Sequence, residues 1–211
     1  RKGWWFREWL PNAKDVFLFG DFTDWNRTSL RLTRLPNGVW EIFLPEEEYR
    51  GRIVDGTRYK LYIHGNNGWH ERISAYARYV TEDPQTHNFT PVILFNSTFD
   101  WGDDGKRKID FSEPLIYECH VGMAQEEAGV GSYKAFEENI LPRIKALGYN
   151  TVQLMGIAEH PYYGSFGYHV SNLYAPSSRF GTPDELRSLI KKAHEMGLMV
   201  VMDIVHSHYV K

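Results

Sequence analysis

Short apolar runs separated by turn residues dominate the chain from about residue 16 to residue 95. Runs rich in β-branched and aromatic residues are typical of strands, and several alternate apolar and polar side chains as half-buried strands do. Asn37-Gly38 lies between two runs and is a strong hairpin signal, while Asp55-Gly56 and Asn67-Gly68 predict further tight turns. The pattern predicts a β-sandwich whose strands include residues 16–19, 39–44, 59–63 and 92–95.

The pattern changes after the charged, glycine-containing segment 102–108, which indicates a linker. Apolar runs at 115–121 and 151–155 flank a helical pattern at 132–147, and this order predicts a β-α-β unit with parallel strands. Pro142 should break or kink the helix, because proline has no backbone N–H. The apolar face of this helix is expected to contain Phe136, Ile140, Ile144 and Leu147.

A second crossover contains the best-defined helix of the chain. Thr182 can cap this helix, Pro183 suits its first position, and Glu185 completes a capping box. Gly197 follows as the stop signal. Residues 198–202 show no polar alternation, as expected for a strand covered on both faces.

These patterns predict two domains in the 211 residues, a β-sandwich over 1–106 and three β/α units of a (β/α)8 barrel over 107–211. A complete barrel takes roughly 250 residues, so we do not expect it to close within this chain. The first and third barrel strands would then have open edges. We therefore expect the isolated chain to self-associate, or to need the rest of the barrel for solubility.

Composition excludes several classes of protein. Apolar residues make up 42% of the chain and aromatic residues 15%, which is enough to fill real cores and indicates neither disorder nor a membrane partner. The net charge of -3, with scattered Lys and Arg, gives no reason to bind nucleic acid. The single cysteine, Cys119, rules out an internal disulfide and is typical of a reducing compartment, so we expect a cytoplasmic protein.

Polar residues follow the last predicted strand, at the end where parallel α/β folds assemble their sites. Asp203, His206 and His208 could together bind a metal ion. Alternatively, Asp203 and His208 could hydrogen-bond a ligand while His206 is structural. Tyr168, flanked by glycine and polar residues in an aromatic loop, has the best claim in that loop to stack on a ligand, with core packing as the alternative.

Two tryptophans of the predicted sandwich lie in loop-like contexts. Trp25 and Trp69, together with Lys60, could form a platform on which a sugar stacks. Large aromatic side chains are more commonly core residues, so both interpretations stay open for each tryptophan.

Four stretches of the sequence, 8–26, 116–123, 141–155 and 159–170, resemble 1,4-α-glucan branching enzymes, most closely the plant and animal type. The resemblance implies an immunoglobulin-like carbohydrate-binding sandwich of the family 48 type, followed by the start of an α-amylase-type barrel. It also implies an α-glucan, glycogen or starch, as the binding partner. A debranching enzyme or an amylase is a weaker match to 162–169.

The same resemblance assigns roles to individual residues. Asp203 and His208 correspond to the pair that holds the glucose unit at the cleavage point, and Tyr168 to the tyrosine that stacks on that sugar. Ser207 stands where α-amylases have a calcium-holding asparagine, so no metal and no cofactor are expected. The sandwich is also similar to the glycogen-binding module of AMP-activated kinase, whose sugar-binding residues would be Trp25, Lys60 and Trp69.

Branching enzymes cut an α-1,4 bond and rejoin the freed chain as an α-1,6 branch by a retaining double displacement, which requires a carboxylate nucleophile and a separate acid. The family places both after later barrel strands, beyond Lys211, so no catalytic residue is expected in this chain and Glu118 and Glu159 are assigned structural or network roles. We expect the chain alone to be inactive. The alternative is a non-catalytic protein that binds glucan or regulates its metabolism.

Overall fold

The computed structural model describes residues 2–95, 99–110 and 112–210. The chain forms two compact units, residues 1–96 and residues 97–211. The domain boundary after residue 106 stays a prediction. Lys211, the last residue of the predicted second domain, lies outside the described residues.

The first unit is built from antiparallel sheets. Its strands are β1 (Gly3–Trp9), β2 (Asp15–Gly20), β3 (Leu30–Arg31), β4 (Thr33–Arg34), β5 (Val39–Pro45), β6 (Tyr59–Gly65), β7 (Gly68–Arg72), β8 (Val80–Glu82) and β9 (Phe89–Pro91), with one helical turn, α1 (Glu46–Tyr49). One sheet has the order β1-β5-β4, a second the order β3-β2-β6-β7, and β8 pairs with β9.

Both larger sheets contribute to one core. Because successive side chains of a strand point to opposite faces, Val16 and Leu18 of β2 enter this core together. Leu61 of β6 joins them from the same sheet, while Trp40 and Leu44 come from β5 of the other sheet. The predicted strands at 16–19, 39–44 and 59–63 are confirmed by β2, β5 and β6.

The predicted strand at 92–95 is wrong. Val92 makes only an isolated bridge to Arg58. After Val92 the backbone N–H groups bond to the turn around residues 55–57 instead of to a strand. Ile93 N donates to Thr57 O over 2.8 Å, and Phe95 N donates to the Asp55 carboxylate over 2.8 Å. The neighbouring β9 ends at Pro91, which cannot donate a backbone hydrogen bond.

The predicted turns are confirmed. Gly38 has φ +82° in the connection from β4 to β5, and Gly68 has φ +97° where β6 turns into β7. Backbone with φ in this range strongly favours glycine, so the two glycines fix where each hairpin reverses.

The second unit contains a parallel sheet and helices. Its strands are β10 (Ile116–Cys119), β11 (Thr151–Leu154), β12 (Ala158–Glu159), β13 (Asn172–Pro176) and β14 (Met199–Met202). Its helices are α2 (Tyr133–Ala135), a π-helix (Phe136–Ile140), α3 (Leu141–Ala146) and α4 (Pro183–Glu195). The parallel sheet has the order β10-β11-β14, which confirms the three predicted strands, and β12 pairs with β13 in an antiparallel hairpin that the sequence did not predict.

Helical residues from Tyr133 to Ala146 confirm the first predicted crossover. Pro142 does not end the helix. A π-helical turn over Phe136–Ile140 precedes it and accommodates the proline, which has no backbone N–H. Ile144 is buried as expected, whereas Leu147 is 70% exposed because the helix ends one residue before it. The prediction that Leu147 faces the core is therefore wrong.

The capping box of α4 is present as predicted. Glu185 N donates to Thr182 Oγ1 over 3.2 Å, and Thr182 N donates to the Glu185 carboxylate over 2.7 Å. Leu189 is fully buried on the inner face of the helix. β14 is only partly buried, and Met202 is 42% exposed. The prediction that this strand is covered on both faces is therefore wrong for the described residues, because helices pack on only one face of the sheet.

The segment 102–108, predicted as a linker, packs on α4. His194 Nδ1 lies 2.9 Å from the Asp104 carboxylate, and Arg107 Nη2 lies 3.8 Å from the Glu195 carboxylate. None of the described helices combines the length and the apolar character needed to cross a bilayer.

Candidate functional site

Tyr168 and Asp203 meet at the carboxyl end of the parallel sheet. The Tyr168 hydroxyl donates to Asp203 Oδ2 over 3.1 Å. Asp203 directly follows β14, and its backbone N donates to Leu154 O at the end of β11 over 3.1 Å. Burial, followed by the bonded Asp203 and the charge of Glu118, raises the pKa of the Tyr168 phenol, which therefore stays a hydrogen-bond donor.

The loop that carries Tyr168 rests on the backbone after β11. A 3-10 turn at Tyr163–Ser165 is followed by Phe166 and Gly167, which both have positive φ, +54° and +85°. A Cβ on Gly167 would lie 1.9 Å from the oxygen of Gly156. Only glycine permits this close approach of the two backbones, and the approach places Tyr168 beside the end of β14.

His206 and His208 are both exposed, and His208 has φ +62°. Among the described residues no hydrogen bond joins His208 to Tyr168 or Asp203, and no group of three His, Cys, Asp or Glu side chains could hold a metal ion. The structure therefore brings together two of the three predicted sugar-binding residues of this unit, while the role of His208 stays a prediction.

Glu159 is fully buried, and its carboxylate holds the chain after β13. Its carboxylate accepts from Ser178 N over 2.8 Å and from Ser177 Oγ over 3.3 Å. Burial raises the pKa of Glu159, although these hydrogen bonds act in the opposite direction. Its contacts are those of a structural residue, in line with the expectation for Glu159.

Sequence reasoning missed His120, which follows β10 directly and is 6% exposed. Its ring lies edge-on to Phe180, Tyr163 and Phe166 at centroid distances of 5.4 to 5.8 Å. Within the described residues neither ring nitrogen has a hydrogen-bond partner. Burial, with a smaller contribution from the charge of His160, lowers the pKa of His120. A histidine at the end of an apolar run was the available signal.

The three residues predicted to bind glucan in the first unit share one face of the β3-β2-β6-β7 sheet. Trp69 lies flat on His64 and Tyr62, with ring centroids 4.7 and 4.8 Å apart and interplanar angles of 11° and 20°. Lys60 is on the same strand as these two rings, at even spacing, and therefore on the same face.

Trp25 extends this face at the other end. Its ring meets Phe19 edge-on at 5.8 Å, and Phe19 is the cross-strand partner of Lys60. Asp21 accepts a hydrogen bond from the Trp25 indole over 3.0 Å and fixes its orientation. Trp25 and Trp69 are 37% and 40% exposed, so neither is a core residue.

Comparison with known proteins finds a matching family model for a segment of each unit. The family "Carbohydrate-binding module 48 (Isoamylase N-terminal domain)" matches residues 1–77, and "Alpha amylase, catalytic domain" matches residues 124–211. The chain is 45% identical to 1,4-alpha-glucan-branching enzyme 2-2 from Arabidopsis thaliana, over 96% of this chain and 26% of the relative. The resemblance to branching enzymes is confirmed.

Further branching enzymes show the same relationship. Those of Dictyostelium discoideum and Felis catus are 44% and 42% identical to this chain, over 96% and 98% of it. The chain spans 26% to 30% of the length of these three relatives. A crystal structure of a Salmonella typhimurium protein described as an alpha amylase matches with a TM-score of 0.80 and 24% identity, over 98% of this chain and 32% of that one, which shows a shared fold.

Proposed function

We propose that this chain is the amino-terminal part of a 1,4-α-glucan branching enzyme, which cleaves an α-1,4 bond and rejoins the freed chain as an α-1,6 branch. The hydrogen bond between Tyr168 and Asp203 supports this function most directly, because it joins an aromatic face and a carboxylate at the carboxyl end of the sheet. The similarity to branching enzymes over 96% of the chain agrees with it.

The finer fold is part of the proposal. Two antiparallel sheets around one core support an immunoglobulin-like sandwich in the first unit. Three parallel strands in sequential order, joined by helical crossovers, support the opening of a (β/α)8 barrel in the second. In such a barrel the partly covered β10 and β14 would pair with further strands.

In the proposed donor subsite each residue has a separate task. The ring of Tyr168 offers an apolar face to a glucose ring, Asp203 accepts hydrogen bonds from its hydroxyls, and His208 donates one. These groups bind and orient the sugar. The nucleophile and the acid of the retaining displacement lie beyond Lys211 in this proposal, so the chain supplies binding without bond cleavage.

Branching activity measured on two chains tests the assignment. The 211-residue chain should form no α-1,6 bonds from amylose, while a chain extended through the remaining barrel should form them. In the extended chain, Asp203→Asn should lower activity, whereas Asp184→Asn on the exposed first turn of α4 should leave it unchanged. Activity in the short chain would contradict the assignment, and an inactive extended chain that still binds glucan would favour a non-catalytic binding protein.

The aromatic face of the first unit is the proposed glucan platform, formed by Trp25, Lys60 and Trp69. Trp69 supports this role because stacking on Tyr62 and His64 holds its ring in place while 40% of the residue stays exposed. Affinity electrophoresis in glycogen should show weaker retardation for Trp69→Ala than for wild type. Trp5→Ala is the matched control, since Trp5 is 56% exposed on the other sheet. Equal retardation of the Trp69→Ala and Trp5→Ala variants would contradict the proposed glucan platform.

Cytoplasmic location and self-association through the edges of the parallel sheet remain proposals. β10 and β14 are the edge strands of that sheet among the described residues, and they support the second of these. Sedimentation of the purified chain at increasing concentration should show oligomers, and a concentration-independent monomer would contradict this proposal.

A further inference from the structure

Arg27 lies across one face of the β3-β2-β6-β7 sheet. It belongs to the turn before β3, the first strand in the order of this sheet, and it binds Glu71 of β7, the last strand. Arg27 Nε donates to Glu71 Oε1 over 2.6 Å, and Nη2 contacts the same oxygen. The guanidinium carbon lies 5.9 Å from the centre of the Tyr62 ring on β6. The arginine side chain therefore crosses the face that carries the glucan platform.

The Glu71 carboxylate pairs with two cations. Lys60 Nζ lies 3.5 Å from Glu71 Oε2, while Arg27 occupies Oε1. A guanidinium has five N–H donors, and Glu71 is bound by Nε and Nη2. No residue in the described part of the chain accepts a hydrogen bond from Arg27 Nη1, and the arginine side chain is 59% exposed. Arg27 is thus held along one edge of its guanidinium and has donors for a ligand along another.

Arg27 lies beside both tryptophans of the glucan platform. Trp25 is two residues away in the chain, and Trp69 stacks on Tyr62, the ring over which Arg27 lies. A sugar site combines aromatic faces, which contact the C–H surfaces of the sugar, with planar polar groups that bind its hydroxyls. The guanidinium of Arg27 supplies such a planar group next to the aromatic rings.

We propose that Arg27 is a further binding residue of the glucan platform and that Glu71 is its positioning residue. Arg27 Nη1 donates to hydroxyl oxygens of an α-glucan that stacks on Trp69. Because Glu71 already fixes the guanidinium, less side-chain freedom is lost when the sugar binds. Lysine would not serve at position 27, since an ammonium group has no rigid fork that binds a carboxylate along one edge and a hydroxyl along the other. The class of ligand rests on the proposed function.

The affinity of the 211-residue chain for maltoheptaose, a linear α-1,4-glucan, tests this proposal. Arg27→Gln should weaken binding about fivefold, because a hydrogen bond to the sugar is lost, and Arg27→Lys should not restore it. Arg7→Gln is the matched control and should bind as wild type. Arg7 has the same side-chain exposure of 59%, binds Glu41 over 2.8 Å and lies 5.1 Å from the centre of the Trp5 ring, but it belongs to the other large sheet.

Two further measurements separate direct contact from positioning. In the wild-type chain the NMR resonance of the Arg27 Nε–H group should shift when maltoheptaose is added, whereas that of Arg7 should not move. Glu71→Gln should also weaken binding. The double variant Arg27→Gln/Glu71→Gln should bind no more weakly than Arg27→Gln alone, because Glu71 acts through Arg27. Additive losses in the double variant would overturn the role of Glu71.

Wild-type affinity in Arg27→Gln, or an unmoved Arg27 resonance, would overturn the role of Arg27. If Trp69→Ala loses affinity in the same experiment, the glucan platform stands without Arg27. Wild-type affinity in Trp69→Ala would instead contradict the platform itself and, with it, the role of Arg27. The failures of the two proposals are therefore distinguishable, and thermal unfolding of each variant verifies that it is folded.

Discussion

The Tyr168 hydroxyl donates to Asp203 over 3.1 Å, and this bond connects the loop after β11 to the end of β14. The two residues are 35 positions apart in sequence. Tyr168→Phe removes the hydroxyl and keeps the ring. A hydrogen bond to a carboxylate at a partly exposed position contributes about 1 kcal/mol, so we expect that loss from the local stability of the loop. Amide hydrogen exchange in residues 165–169 should accelerate about fivefold, while exchange in β6 should not change. Equal exchange rates would show that the bond does not hold the loop.

The contact between Gly167 and Gly156 leaves no room for a Cβ at position 167, and alanine substitutions at Gly167 and Gly148 separate this steric effect from the cost of the backbone conformation. Gly148 and Gly167 have nearly equal φ, +88° and +85°, but only a Cβ on Gly167 would meet another atom, 1.9 Å away. Gly148→Ala should lose roughly 1–2 kcal/mol in urea unfolding, the usual cost of this backbone region. Gly167→Ala should lose clearly more and displace Tyr168. Equal losses would mean that the loop moves freely away from Gly156.

The contact of Tyr168 with Asp203 shows where sequence reasoning stops. Asp203 was predicted at the carboxyl end of the sheet because it follows an apolar run that predicts a parallel strand, and the resemblance to branching enzymes assigned Tyr168 to the same sugar. Their hydrogen bond could not be predicted, since it depends on the close approach of Gly167 to Gly156, a contact between two loops. The same limit applies to Trp69, whose stacking on His64 depends on the exact register of β6 and β7.

Strands with regular alternation or with a continuous apolar run were predicted, and strands with neither signal were missed. β1 (Gly3–Trp9) was missed because Glu8 occupies a buried position of the strand while Trp5 and Trp9 are each 56% exposed, which inverts the expected pattern. β12 and β13 are short, and their register shifts between Ala158 and Glu159, so neither has a periodic signal. Long-range packing decides these elements.

Glu8 predicts an unusual pH dependence of the first unit. It is 2% exposed, and burial raises its pKa from 4.5 despite a 2.6 Å hydrogen bond from Ser74. The native state therefore holds this proton at pH values where the unfolded chain has released it. The contribution of Glu8 to stability falls as the pH rises from 4.5 through its native pKa. Glu8→Gln should remove this decrease in urea unfolding curves, whereas Glu47→Gln, on the exposed side of α1, should keep it.

His120 predicts that the second unit has the opposite pH dependence, with stability that falls as the pH is lowered. Burial among Tyr163, Phe166 and Phe180 lowers the pKa of His120 below 6.5, and the charge of His160 lowers it further. The unfolded state therefore takes up a proton at a higher pH than the native state, and stability is lost as the pH falls through 6.5 toward the native pKa.

Replacement of His120 by an aromatic residue tests this dependence. His120→Phe keeps an aromatic ring inside the cluster and removes two ring nitrogens that have no partner among the described residues. The variant should be at least as stable as wild type at neutral pH, because no described hydrogen bond is lost, and its advantage should grow as the pH falls below 6.5. His206→Gln, at an exposed histidine of the same unit, should follow the wild-type curve. A loss for His120→Phe that is the same at every pH would show instead that the imidazole makes a hydrogen bond essential to the fold.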